Sequence, residues 1–461
     1  MAKSQNPVDA LAGLVADTTY RDLPPAAVQA AKTFLLDTLG VAVAGSADPW
    51  ARRLVRSAAR WGSGQEATVW VEGMKLPAPS AALVNSYFIH CLEFDCVHEG
   101  AVVHPMTAVL PALFALGERE GKRSGKELLL AVVLGVEVAT RIGLAATGPM
   151  RFFRPAMAGA FGATAALAKL HGFGQEETAN ALGAVYGQIS GTLQPHLEGT
   201  PLLAMQMGFN ARAAITAVDL TKDGLKAPRD FLLGRYGYYS LFEGGAYDPA
   251  RGFADLGREW QVTRLAHKPF PSGRLAHGGV DGVLQLQALH GFRAEAVESV
   301  TVRVPPLVYR LVGREDVTDP SPNYARLCLR FIVATALLRG TVDVPDFNEE
   351  WLRNDAVHEL AGRIEVVELP NRDENAFVPQ ELEVWLRDGA IHTIRLDRVL
   401  GSPDAPLSSE QHLEKFRRNW GYGARPLPDD AAQALVARVE ALEEVADVQE
   451  LVSLLTAPSP D

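Results

Sequence analysis

The sequence predicts a mainly α protein, with a large all-helical domain built from both chain ends and a smaller α+β domain. Three observations predict it. Apolar residues recur at helical spacing to about residue 235, strand-like alternation first appears near residue 298, and the tail from 408 to 456 returns to helix. A chain of 461 residues also exceeds what one hydrophobic core usually serves. The divisions expected are 1–266 for the helical domain, 267–405 for the α+β domain, and 406–461 for helices that pack back on the first part.

In PPAAVQAAKTFLLDTLGVAVAG, Val28, Ala31, Leu35, Leu39 and Ala42 share one helical face, behind a proline pair and before Gly45. Helices are expected next around 79–94, 105–120, 125–145, 155–171, 175–190 and 208–220. Their Ala and Gly content, as in FGATAALAKL, lets axes approach closely. Residues 237–265, rich in Gly and aromatics, read as a connector. Beyond it ESVTVRVP (298–305) and GRIEVVEL (362–369) alternate as strands do. ELEVWLRDGAIHTIRL (381–396) reads as a hairpin, because Asp388-Gly389 supplies a tight turn. Helices near 275–290 and 322–339 complete the α+β part.

Composition narrows the function. Hydrophobic residues make up 48% and charged ones 21%, the proportions of an ordinary folded protein. The net charge of −11, with no basic cluster, argues against nucleic acid or an anionic membrane as partner. Cys91, Cys96 and Cys328 form no CxxC pair, which suits free buried thiols in a reducing compartment. The first residues, MAKSQNPVDALAGL, lack the apolar core of a signal peptide. The most apolar stretch, ELLLAVVLGVEVATRIGLAA, is interrupted by Glu137 and Arg141 and reads as a core helix. A cytoplasmic, soluble protein is expected.

Residues 90–105, HCLEFDCVHEGAVVHP, crowd titratable groups between two apolar helices. If the first helix continues through residue 94, Ser86, His90 and Glu93 form one polar stripe, with a loop from Asp95 and a turn at Glu99-Gly100. Pro105 opens the next helix and leaves His104 at its cap. The positive helix end disfavours imidazolium there, so His104 is either a neutral general base or a simple capping residue. Arg154 precedes Pro155 at another helix start, a ready place for a carboxylate. HKPFPSGRLAH (267–277) brings Lys268, Ser272, Arg274 and His277 to the entry of the second domain, where pockets concentrate. Cations at three helix entries point to an anionic small substrate. A metal set of His90, Glu93, Asp95, His98 and His104 is conceivable, but its spacing matches no strong motif. No GxGxxG after a strand, GxxxxGK[ST] or GxSxG occurs, so no cofactor and no serine chemistry is expected.

The succession NSYFIHCLEFD, then His104-Pro105, then FFRPAMAGAFGATAALAKLHG, then KPFPSGRLAH, resembles the MmgE/PrpD family. The resemblance runs in order over most of the chain, and order rather than any one motif carries it. It implies an active site between helical body and lid, a homodimer, no cofactor, and dehydratase, decarboxylase or epimerase chemistry on small carboxylic acids. Asn85, His90, Asp95, His104, Lys268, Ser272 and His277 fall on family positions. Glu93 stands where the family usually has Asp, Cys96 where it has an acid, and Arg154 where it has His. Gln206 and Phe209 replace a Lys and a His, and Phe331 a Tyr. Losing those cations implies a substrate smaller or less charged than a tricarboxylate.

The lead expectation is an enzyme that removes a proton beside a carboxylate. His104 is the base, alone or with His277, and Asp95 or Glu93 orients a histidine. Lys268 and Arg154 stabilise developing charge, while Ser272, Arg274, Gln206, His98 and His90 help bind substrate. A metal-dependent hydrolase and an inactive carboxylate-binding relative are the alternatives.

Overall fold

The computed structural model of the chain describes residues 6–457. Long helices Pro25–Gly45, Ala78–His90, Pro105–Glu120, Gly125–Ala145, Arg154–His171 and Leu202–Lys222 pack side by side as the body. Small residues let them close up. A Cβ on Gly135 would press on the Gly162 carbonyl at 2.9 Å, and one on Gly162 would strike that of Gly135. The tail helices Ser409–Trp420 and Asp429–Glu440 return to this body, with Phe416, Trp420 and Leu435 sharing a core with Leu35 and Leu39.

The charges inside Gly125–Ala145 have a use. Arg141 Nε bonds Glu137 Oε1 at 2.6 Å, the pair is fully buried, and Arg141 also holds Asp255 and the Glu259 carbonyl. That helix and Pro25–Gly45 are each long and apolar enough to cross a membrane, yet 94% and 78% of their apolar windows are buried within the protein.

The stretch 237–265 is not a loose connector. Tyr238 and Tyr239 are fully buried, Tyr239 Oη donates to the Ile142 carbonyl at 2.9 Å, and the Gln261 amide donates to Glu137 at 2.7 Å. Its aromatics and glycines serve close packing rather than flexibility.

The second core surrounds a four-stranded sheet in the order Ile364–Glu368, Val297–Val304, Gln380–Leu386, Ile391–Leu396. The first pair is parallel and the others antiparallel. The hairpin forms as expected, with Gln380 opposite Leu396, Trp385 opposite Ile391, and Gly389 at φ +91°. Helices His277–His290 and Leu329–Arg339 cover the sheet.

Helix ends differ from expectation in places. The helix expected at 79–94 stops at His90, because Glu93 takes a left-handed φ of +51°. The one expected at 322–339 is two, Pro322–Arg326 and Leu329–Arg339, with Cys328 extended between them.

The helix carrying His90 is set by a tight crossing, since a Cβ on Gly45 would overlap the Phe88 carbonyl. Gly45→Ala should cost about 1–3 kcal/mol through overpacking. Chemical denaturation measures this, and an unchanged midpoint would refute the close approach.

Candidate active site

The break at His90 turns the segment 91–104 back across the end of the body. Val97 pairs with Ala266, and His98 pairs with Val103 around a turn with Val102 at φ +53°. That loop brings four charged or titratable groups around one buried aspartate. Asp95 Oδ2 lies 2.9 Å from His90 Nδ1 and 3.0 Å from His104 Nδ1, and it accepts the Thr107 hydroxyl at 2.5 Å. Its other oxygen faces Lys268 Nζ at 3.5 Å, and Lys268 also donates to Glu93 at 2.9 Å. Glu93 Oε1 is 3.4 Å from His90 Nε2. All five are buried.

With His90 protonated, the charges balance as two carboxylates, one ammonium and one imidazolium. Burial opposes ionisation of Asp95, but His104, His90 and Lys268 outweigh it and hold the carboxyl well below its usual range. Burial likewise opposes Glu93, yet Lys268 and His90 take it down to about 2. The two histidines then divide. Burial lowers His90, but Asp95 and Glu93 more than offset this and raise it, so of the two rings His90 is the one that favours the imidazolium form. Burial dominates at His104, Lys268 adds to it, and its pKa is lowered, so His104 is neutral. The neutrality expected at residue 104 therefore has burial and a neighbouring ammonium as its main causes. The capping alternative does not hold, since His104 occupies the cap of Pro105–Glu120 without any side-chain hydrogen bond to that helix.

Nδ1 of His104 faces Asp95 and the Cys96 carbonyl, 3.1 Å away, and so carries the ring proton. Nε2, on the opposite edge, is left as a bare base. His104 lines a chamber between body and lid, with His90, Glu93, Glu99, His196 and Arg274. Apolar side chains make up most of the remaining wall, among them Met150, Phe153, Leu307, Leu311, Leu327 and Phe377.

Family models of the MmgE/PrpD N-terminal domain and the MmgE/PrpD C-terminal domain match residues 9–249 and 270–443. The chain belongs to the MmgE/PrpD family. It is 30% identical to the human (Homo sapiens) cis-aconitate decarboxylase over 447 residues, covering 94% of this chain and 91% of that protein. It is 26% identical to an Aspergillus terreus cis-aconitate decarboxylase, covering 95% and 93%. A 2-methylcitrate dehydratase of Cupriavidus necator is 25% identical over 59% of this chain and 58% of its own length. These are lyases, the enzyme class expected from the sequence.

Several site residues expected in this MmgE/PrpD protein do other work. Arg154 is fully buried and turned into the body, where Nε and Nη2 bond Glu243 at 2.9 and 2.8 Å, and Tyr238 donates to the same carboxylate at 2.8 Å. It neutralises an internal acid and is not in the chamber wall. Gln206 is tied to the Thr192 amide at 2.7 Å and the Thr192 carbonyl at 3.1 Å. His98 bonds Gln261 at 2.9 Å and accepts from the Ala101 amide, and burial takes it down to about 4, so it shapes the turn. With His98 apart, the five-residue metal set is not assembled. His90, Asp95 and His104 do offer ligand atoms within 4.8 Å of one another, but Lys268 supplies the balancing charge.

His277 lies behind the wall, with Nδ1 3.3 Å from Arg274 and Nε2 3.3 Å from the Ser272 carbonyl. Burial and Arg274 push it well down, so it braces Arg274 rather than acting as base. Ser272 is buried outside the wall. Lys268 pairs with protein carboxylates instead of reaching the chamber. Arg274 does face it, holding Glu99 at 2.7 Å and the Leu400 carbonyl at 2.7 Å. Asn85 bonds the backbone of Trp70 and Thr68, and Phe331 belongs to the lid core. The three cysteines are free and buried, as expected.

His196 escaped sequence reading. Its Nδ1 accepts from Arg314 at 2.9 Å, which forces the proton onto Nε2, and burial with Arg314 takes its pKa to about 3. It is thus a neutral donor in the chamber wall. Nothing local in QPHLEG signals this, because the orienting arginine lies 118 residues away.

Glu93→Gln would leave Lys268 and His90 underpaired and should destabilise by about 3–5 kcal/mol at pH 7. The wild-type carboxylate contributes fully above pH 4.5 and loses its contribution as pH falls toward 2. The deficit of the variant should therefore narrow over that window. Parallel unfolding curves measure it, and a deficit independent of pH would refute the assigned ion pairs.

Proposed function

We propose that this protein is a cofactor-independent lyase acting on a small carboxylic acid, with His104 as the group that removes or returns a proton at the carbon beside a carboxylate. The supporting observation is the orientation of His104, with Nδ1–H held by Asp95 and Nε2 bare where the residue lines the chamber. A neutral imidazole with a lowered pKa is a base ready at neutral pH. When Nε2 takes the proton, the ionised Asp95 offsets the new charge on the ring. The His90 imidazolium and the His196 Nε2–H supply positive charge and a donor to an enolate-like intermediate, where preorganised groups contribute most.

Loss of water or loss of carbon dioxide both pass through such an intermediate, and the relatives' names include both a dehydratase and decarboxylases. The proposal includes a homodimer working in the cytoplasm, as the resemblance and composition suggest.

The test is deuterium uptake from D₂O into recovered acid or product across a panel of carboxylic acids. His104→Ala should lower turnover by roughly 10²–10⁴ with the fold intact. Because the base must be unprotonated, kcat/KM should hold level as pH falls through 6.5 and decline only at lower pH. Near-normal turnover by His104→Ala would refute the assignment. Ligand-induced stabilisation without exchange into any acid would favour the inactive binder.

A further inference from the structure

The chamber wall sets a few polar groups in a mostly apolar lining. His104, His90 and His196 are among the polar groups, and both Glu93 and His90 act electrostatically on His196. Among the described lining residues the only lysine or arginine is Arg274, and its donors are taken by Glu99 and the carbonyls of Leu400 and Val399. Glu93 and Glu99 are the two carboxylates in the wall. The rest of the lining is largely apolar and includes Phe153, Leu307, Leu311, Val312, Leu327 and Phe377. A second or third substrate carboxylate placed against that wall would lose its hydration without gaining a counter-ion. The cations that could have met it, Lys268 and Arg154, are held by Glu93 and Glu243.

We propose that the substrate is a carboxylic acid with one ionised carboxylate, bound at the histidines, and a hydrocarbon remainder set against the apolar side chains of the wall, rather than a di- or tricarboxylate. This rests on the reading of His104 as the proton-transfer group for its chemical part, but the binding preference stands on the wall alone. The C2 proton passes to His104 Nε2, its electron pair stays on the carboxylate-stabilised carbon, and a solvent-derived deuteron returns by the same ring.

Two 3-hydroxy acids that differ in what they carry beyond C3 separate the possibilities: 3-hydroxyoctanoate and citrate. Calorimetry on the intact protein should show 3-hydroxyoctanoate binding at least ten-fold tighter than citrate. Leu311→Lys, checked for folding by its thermal transition, should erase that preference by placing a cation in the apolar wall. Phe153→Leu, which keeps the wall apolar, should retain it. Equal or tighter binding of citrate, or no binding of either acid, would overturn the proposal. Tight binding of 3-hydroxyoctanoate without C2 deuteration in D₂O would uphold the substrate class and overturn instead the assignment of His104. Deuteration of citrate alone would do the reverse.

Discussion

One carboxylate oxygen organises the site. Asp95 Oδ2 receives two imidazoles and a threonine hydroxyl within 3.0 Å, in a place from which water is excluded. In the site without substrate, two histidines that share one buried anion cannot both be charged while Lys268 stands beside it, since the cluster would then carry a net positive charge without a partner. The result is a division of labour set by position. His90, also facing Glu93, holds the proton, and His104, at the chamber, does not. Removing Asp95 would alter both rings at once, so its role is to position and bias them.

The fold serves that arrangement through close helix packing. Glycine and alanine let the body helices touch backbone to backbone, which fixes the end of Ala78–His90 and the start of Pro105–Glu120 relative to each other. The loop between them then has little freedom, and it spends a left-handed residue at Glu93 and another at Val102 to turn back. The lid contributes Arg274 and part of the apolar wall, while Lys268, just past the connecting stretch, supplies the balancing charge. Body, loop and lid each provide part of one charge balance.

Much of this was legible in the sequence, and the reasons differ by feature. Helix existence followed from periodicity, and the hairpin from Asp388-Gly389, because both are local signals. His104 as a helix-cap residue followed from Pro105. Long-range ion pairing was not legible. Arg154 looked free for substrate because Glu243, its partner, lies 89 residues away, and the stretch carrying that acid read as a connector. Gln206 and His98 were placed at the site by resemblance and nearness in sequence, yet their side chains tie down Thr192 and Gln261. His196 was missed for the mirror reason, since its meaning comes from Arg314 in the other core. Arg154, His98 and His196 share one property: a charged or polar partner distant along the chain decides which way they face.

The central claim is that one aspartate holds neighbouring rings in different protonation states. Nitrogen-15 NMR of the imidazoles at pH 7 tests it most directly, with assignments from His90→Gln and His104→Gln. The account predicts a doubly protonated ring at His90 and, at His104, a neutral ring protonated on Nδ1 alone. A charged His104, or a neutral one carrying its proton on Nε2, would contradict it.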